Sequence, residues 1–441
     1  MKKFLSILVL VVFYHSMAWA VVKGDMNGDD IIGLEEVVLS LQVAVGQTPQ
    51  IAIADKTFVS KTGQTIPYAA GDDGNLKTGI ADPEFRFTDN DDGAVTDNKT
   101  ELIWLKNANV IGITQNWQNT MDYIVELNEK GSMRNNDCGD TSNNGSHQTD
   151  WHLPNIKEYQ SLIDFGQYGP AIPANSHFLN LQSADYWSST SGSFYNGVSA
   201  WYIDMTNGSM GAMFKNDRPR YIWAVRGGRR SGAQGDINGN DKIGIDDALY
   251  TLQVTAGLKP VVISTLVGKT GQTLSHTSGD DGDLEVGIGD PAPRFTDNGD
   301  GTVTDNKTKL TWLKNANAGG VTRDWATALL DINQLNTTGE MNDNNCGDTS
   351  NNGSYQTDWR LPNINELLSL LDYGQYNPAI PVDHSFINVV SASYWSSTTR
   401  ANITSDHIAW MVHLYIGMTT PYTTAETILC NVWPVRGGMD N

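Results

Sequence analysis

Two periodicities organise the chain. Leu34, Val37, Val38, Leu41 and Val45 fall at i, i+3, i+4, i+7 and i+11, which is one face of a helix; Ile245, Ala248, Leu249 and Leu252 repeat it. Helical spacing also runs through Trp117–Asn128 (WQNTMDYIVELN) and Trp325–Asn336. A further helix has a readable start. Asn155 can cap it and Glu158 stands three residues on, as do Asn363 and Glu366, so both pairs predict capping boxes. Leu162 and Ile163, or Leu370 and Leu371, then bury one face, and the breaker-rich Asp164–Pro170 ends the element. Elsewhere the alternation is that of short strands. Asp89-Asn90-Asp91-Asp92-Gly93 and Asp297-Asn298-Gly299-Asp300-Gly301 separate alternating runs and predict tight hairpins rather than metal loops. Ala200–Met205 and Tyr221–Arg226 alternate as strands, and Ser188-Ser189-Thr190 and Ser396-Ser397-Thr398 follow a Tyr-Trp strand.

Almost every one of these signals occurs twice. GDMNGDDIIGLEEVVLSLQVAVG near the start returns as GDINGNDKIGIDDALYTLQVTAG after residue 234. KTGQT at Lys61 returns at Lys269, CGDTSNNGS at Cys138 returns at Cys346, and YWSST at Tyr186 returns at Tyr394. Trp104 and Trp312, like Trp187 and Trp395, are 208 positions apart. A period of that length is a domain duplication, not a solenoid. The divisions are 1–20, 21–50, 57–228, 229–260 and 265–438: a leader, a small unit, a large domain, a linker with the second small unit, and a second large domain. Twelve of the 13 Trp form duplicated pairs, and Trp19 of the leader is the remaining one. Their size predicts core positions for most, with one or two left for a sugar-stacking surface.

The first 20 residues read as a secretory signal: Lys2 and Lys3, an apolar run from Phe4 to Tyr14, and Ala18-Trp19-Ala20 for cleavage. The run is too short for a secure membrane span, and no other segment approaches one. A secreted, cell-surface or periplasmic bacterial protein is expected. With 50 acidic and 29 basic residues the formal charge is −21, which argues against a nucleic-acid footprint and against anionic lipid.

The small units carry hard-cation chemistry. Asp25, Asn27, Asp29, Ile31 and Glu36 stand at positions 1, 3, 5, 7 and 12 of a twelve-residue loop, with oxygen side chains alternating and a carbonyl at position 7. Asp236, Asn238, Asn240, Lys242 (by its carbonyl) and Asp247 form the second set. The expected cofactor is calcium, held more weakly in the second loop, where Asn240 removes a carboxylate. The units resemble half of a type I dockerin. They depart from it at Asp30 and Asp241, where glycine is usual, and in lying apart instead of side by side. A cohesin-like partner is one expectation, and a calcium-stapled spacer the other.

The large domains resemble the C-terminal domain family of the Legionella collagen-like adhesin. The resemblance rests on FTDNGDGTVTDNKTKLTWLKNAN, DW[HR]LPNxxE, YWSST and W[AP]VRGG. It implies an α+β fold of C-type lectin-like type, each domain with two helices and small twisted antiparallel sheets. With the two EF-hand or dockerin-like loop-helix units, that is the expected fold class. The resemblance also implies surface binding. The adhesin's sulfated ligands need basic side chains, so only binding to an extracellular glycan or surface protein carries over to this acidic chain.

Shared catalytic groups are sparse. His147 matches Tyr355, His152 matches Arg360 and His177 matches Ser385, so no His base is common to both copies. The shared carboxylates Asp97/Asp305, Asp150/Asp358 and Asp164/Asp372 sit in turn-rich contexts, and Arg226 and Arg436 predict structural ion pairs. A non-catalytic binding protein is the first expectation. An assembly component docking through the small units comes second, and a polysaccharide hydrolase third. Cys138 and Cys346 correspond while Cys430 has no counterpart, so an oxidising compartment allows a Cys346–Cys430 bridge.

Overall fold

The computed structural model describes residues 37, 59–227, 267–401, 408–423 and 428–438. Each copy is mixed α+β. In the first, β1 (Phe87–Asp89), β2 (Ala94–Asp97), β3 (Leu102–Leu105) and β9 (Val225–Arg226) form an antiparallel sheet in the order β1-β2-β3-β9. A second sheet pairs β6 (Asp185–Ser191), β7 (Ser199–Asp204) and β8 (Ser209–Phe214). The second copy repeats both: β10 (Phe295–Asp297), β11 (Thr302–Asp305), β12 (Thr311–Leu313) and β18 (Val435–Arg436) in the order β10-β11-β12-β18, and β15 (Ser393–Thr399), β16 (Ile408–His413) and β17 (Met418–Thr423) in the order β15-β16-β17. Of the predicted strand Tyr221–Arg226 only the last two residues join a ladder, because Trp223 and Ala224 turn into the core.

Helix α1 (Asp73–Leu76) is a single turn; α2 (Trp117–Lys130) and α3 (Ile156–Leu162) are the predicted helices, repeated as α4 (Asp281–Leu284), α5 (Trp325–Thr338) and α6 (Ile364–Ser369). Asn116 caps α2 and Asp324 caps α5 through their side chains. Both capping boxes form: Asn155 accepts from Glu158 N–H while the Glu158 carboxylate takes Asn155 N–H at 2.7 Å, and Asn363 and Glu366 do the same. The cap and third amides of α3 and α6 are thus satisfied by their own side chains, while the first amides, of Ile156 and Ile364, go to Thr190 and Thr398.

All twelve duplicated Trp are core. None is more than 4% exposed, so the sugar-stacking expectation for one or two of them is not met. Trp223 packs on Trp104 with centroids 4.8 Å apart and edge-on to Phe178 at 4.6 Å; Trp433, Trp312 and Phe386 repeat this. The indole N–H groups of Trp151 and Trp359 reach the buried carboxylates of Asp140 and Asp348 at 2.8 Å. Ser188–Thr190 and Ser396–Thr398 lie fully inside.

The acidic hairpins are turns, as the pattern predicts. Asp89 and Asp92 hold backbone amides within the turn, and Lys106 pairs with Asp89 at 2.5 Å. Gly93 has φ +89°, and a Cβ there would sit 1.9 Å from the Gly139 carbonyl oxygen; Gly301 and Gly347 repeat that approach. This is why the DG of the hairpin and the CG of the second motif recur together. Gly93→Ala is expected to lower unfolding free energy by at least ~2 kcal/mol, because it adds a backbone clash to an unfavourable φ. Urea denaturation of the full chain checks this, and an unchanged midpoint contradicts it.

The two copies interlock. Residues 59–80 form an arm that runs onto the second copy, and residues 267–288 form one that runs onto the first. Gln64 accepts Thr399 N–H at 2.8 Å, and Gln272 accepts Ser191 N–H at 2.8 Å. Those amides are free for this because β6 and β15 are edge strands, and it is the next residues, Gly192 and Arg400, that donate to Ser199 and Ile408 of the neighbouring strands. Asn363 donates to Thr78 as Asn155 does to Val286, and Lys157 donates to the Lys269 carbonyl at 2.8 Å where Asn365 reaches Ser60. The apolar seam is equally reciprocal. Phe165 meets Trp410 edge-on at 5.2 Å, and the corresponding Tyr373 meets Trp201 at 4.8 Å. One buried cluster therefore contains residues of both copies.

Candidate functional site

The predicted calcium ligands Asp25, Asn27, Asp29, Ile31 and Glu36, and Asp236, Asn238, Asn240, Lys242 and Asp247, lie outside the described residues. Among the described residues no group of three or more His, Cys, Asp or Glu side chains is gathered for a metal. No helix among them is long and apolar enough to cross a membrane.

The carboxylates common to both copies are engaged in structure. Asp97 is fully buried and paired with Arg86, and Asp305 with Arg294. Asp150 and Asp358 hold Arg226 and Arg436, whose guanidinium groups lie 5.6 and 6.0 Å from the rings of Trp151 and Trp359. Asp164 and Asp372 take the amides of Gly166 and Gly374. Burial of Asp290 opposes its charge, but Arg294, Lys307 and Lys157 outweigh that and hold its carboxyl at about 2. Glu158 faces His152 Nε2 at 2.9 Å, and Glu366 meets both terminal nitrogens of Arg360 at 2.6 Å. The expectation of turn and cap carboxylates is therefore half the account, since several are buried ion pairs. The cysteine expectation is corrected. Cys138, Cys346 and Cys430 are free and buried, and Cys430 Sγ packs 3.5 Å from Met411 Sδ, so no Cys346–Cys430 bridge forms. Burial pushes each thiol up to about 12, far from a reactive thiolate.

One groove in the first copy has recognition chemistry not absorbed by the core. It is a shallow, open groove of about 350 Å³ lined by Thr114, Asp185, Asp204, Thr206, Pro219 and Tyr221. The register of β6 against β7 sets Asp185 directly opposite Asp204. Like charges there repel. Burial first, and then Asp204 against the pull of Arg220, leaves the Asp185 carboxyl raised. Arg220 is almost fully buried, with its guanidinium 4.3 Å from the Trp187 ring and 3.9 Å from that of Tyr202, and it reaches Asp185 at 3.2 Å. Two carboxylates, two hydroxyls and a tyrosine ring suit the hydroxyls of a polyol.

The second copy keeps the frame and changes the lining. Ser393 faces His413 where Asp185 faces Asp204. Cys430 takes the bridge position of Arg220, and Asn431 that of Tyr221. The sequence places the unmatched Cys430 opposite Arg220–Tyr221, and the bridges show that it takes the same backbone position as Arg220.

No curated protein and no solved structure matches the chain. The family model for the Lcl C-terminal domain matches residues 93–226 and again 301–436. Each match runs from the hairpin glycine to the closing Val-Arg strand and leaves out the arms. The two matches together span more than half of the chain, which therefore belongs to the Lcl C-terminal domain family and carries that domain twice.

Proposed function

We propose that the protein is an exported, adhesin-like binding protein that engages an extracellular glycan or surface protein without transforming it. Family membership in two copies supports this reading, and the reciprocal seam carries it. Two binding modules held in one fixed relation favour paired attachment, because the second contact becomes intramolecular. The groove at Asp185 and Asp204 is the candidate ligand site of the first copy. The different lining of the second copy gives it a different preference. No shared His base and no reactive thiol speak for chemistry.

The two small units, at 21–50 and 229–260, are read as calcium loops beside C-type lectin-like domains, bracing the chain or docking a cohesin-like partner. The alternating oxygen ligands at Asp25 to Glu36 are the specific observation behind that second role. Mature protein on a glycan and whole-cell array is expected to bind, and Asp185→Asn with Asp204→Asn to reduce binding at least tenfold. Unaltered binding by that variant removes the groove, and silence on glycans and cells alike removes the reading. Titration calorimetry with calcium is expected to show heat at micromolar to millimolar metal. Pull-down with and without chelator then separates docking from bracing.

A further inference from the structure

Each arm carries an aspartate into the opposite copy. Asp73 and Asp281 are 1% and 2% exposed. Asp73 Oδ2 accepts from Thr62 Oγ1 at 2.6 Å within its arm and from Thr398 Oγ1 at 2.7 Å across the seam. Asp281 Oδ2 repeats this with Thr270 at 2.7 Å and Thr190 at 2.8 Å. These hydroxyls are already oriented. Thr398 and Thr190 accept the first amides of α6 and α3, from Ile364 and Ile156. Thr62 and Thr270 accept the amides of Gln64 and Gln272. A relay therefore runs from a helix amide of one copy, through a threonine, to the arm carboxyl of the other.

The threonine donors favour an ionised carboxyl, but nearly complete burial works against that charge. Asp73 Oδ1 is buried with no partner, and an ionised oxygen in that state is costly. The charged neighbours do not supply a dedicated cation. Asp73 faces Glu366, which Arg360 already engages, and lies beside Asp72 at the cap of α1. Asp281 faces Glu158, which His152 engages, and Asp280, which interacts electrostatically with Lys215.

We propose that Asp73 and Asp281 form a paired proton latch on the seam: protonated, they lock each arm to the opposite copy, and ionised, they loosen both arms together. Burial first, against the smaller opposing effect of the threonine hydroxyls, raises each carboxyl from 3.8 to about 7. A released arm returns its carboxyl to the ordinary value and so binds fewer protons than the docked arm. Docking is thus fully favoured below about pH 4, weakens as pH rises through the window to about 7, and changes little above it. The latch does not depend on the ligand reading.

Amide hydrogen exchange on the full mature chain tests it. The Thr399 and Ser191 amides, held across the seam by Gln64 and Gln272, report docking directly. After correction for intrinsic exchange, their protection is expected to fall at least tenfold between pH 5 and pH 8. The Trp104 amide, inside one copy, should change much less. The double variant Asp73→Asn, Asp281→Asn keeps the shape without the charge and should hold its protection across that range. Equal protection of the wild type at both pH values overturns the latch, as does a variant that keeps the full pH response. If the variant does not fold, carbon-13 titration of the wild-type aspartate carboxyls decides: two slow-exchanging midpoints near 7 support the latch, and none above 5 overturns it.

Discussion

Trp410→Ala is expected to lower the unfolding free energy of the mature chain by about 3–5 kcal/mol, the range for truncating a buried tryptophan. The loss should not be confined to the second copy. Trp410 is 1% exposed, sits on β16, and packs edge-on against Phe165 of the first copy. The buried cluster runs through that contact, so the cavity opens on the seam and not inside one domain. Phe165 loses its ring partner, and the outer strands β8 and β17, joined by Met210 N–H to Thr419 Oγ1 at 2.9 Å, lose part of their backing. Urea unfolding followed by tryptophan fluorescence and by far-ultraviolet circular dichroism checks this. One shifted transition, coincident by both probes, is expected. Two separated transitions, with only one displaced, show that the copies unfold independently and that the seam contributes little. Trp201→Ala makes the reciprocal test, because Tyr373 stands to Trp201 as Phe165 stands to Trp410. Its effect should match within about 1 kcal/mol if the interlock is as symmetric as its contacts.

That interlock marks where sequence reasoning stops. The capping boxes at Asn155 and Asn363 were legible because both partners lie within one turn, and the acidic hairpins because turn chemistry is local. The tryptophan core was legible because duplication sets apart the positions that packing fixes. The arms were not. Lys61–Thr65 and Lys269–Thr273 are visible as repeated motifs, but identical motifs cannot say which copy each one touches. A chain with two equal docking surfaces and two equal arms is compatible with self-docking and with exchange, and only the fold brings Gln64 to Thr399 and Gln272 to Ser191. The single-turn helices at Asp73 and Asp281 are too short for any periodicity. The groove was missed for another reason. Asp185 and Asp204 are 19 positions apart and meet only through strand register, and their counterparts Ser393 and His413 differ, so comparing the copies hides the site instead of revealing it.

The buried ion pair of the second copy, beneath the arm of the first, gives the other large effect. Arg360→Met is expected to destabilise the chain by about 3–5 kcal/mol near neutral pH, as removal of one partner from a buried pair does. Glu366 is buried and has two separate duties. Its carboxylate takes Asn363 N–H at 2.8 Å as part of the capping box, and it meets the Arg360 guanidinium through two bonds. Taking away Arg360 leaves a negative charge in the interior with one backbone donor, close to the carboxyl of Asp73. Like charge there also disfavours ionised Asp73, so a cost at the arm of the first copy arises only where that carboxyl is ionised. Adding Glu366→Gln should recover at least half of the loss, since glutamine serves the capping box as well as glutamate and carries no charge. Arg360→His should cost less than Arg360→Met, because the first copy places His152 against Glu158 in the same position. Equal losses for all three variants in urea melts would show that the packing of the arginine stem matters and its charge does not. A double variant no better than Arg360→Met would show that the cost lies in the lost bonds of the guanidinium, including the one to the Gly437 carbonyl, and not in a stranded carboxylate.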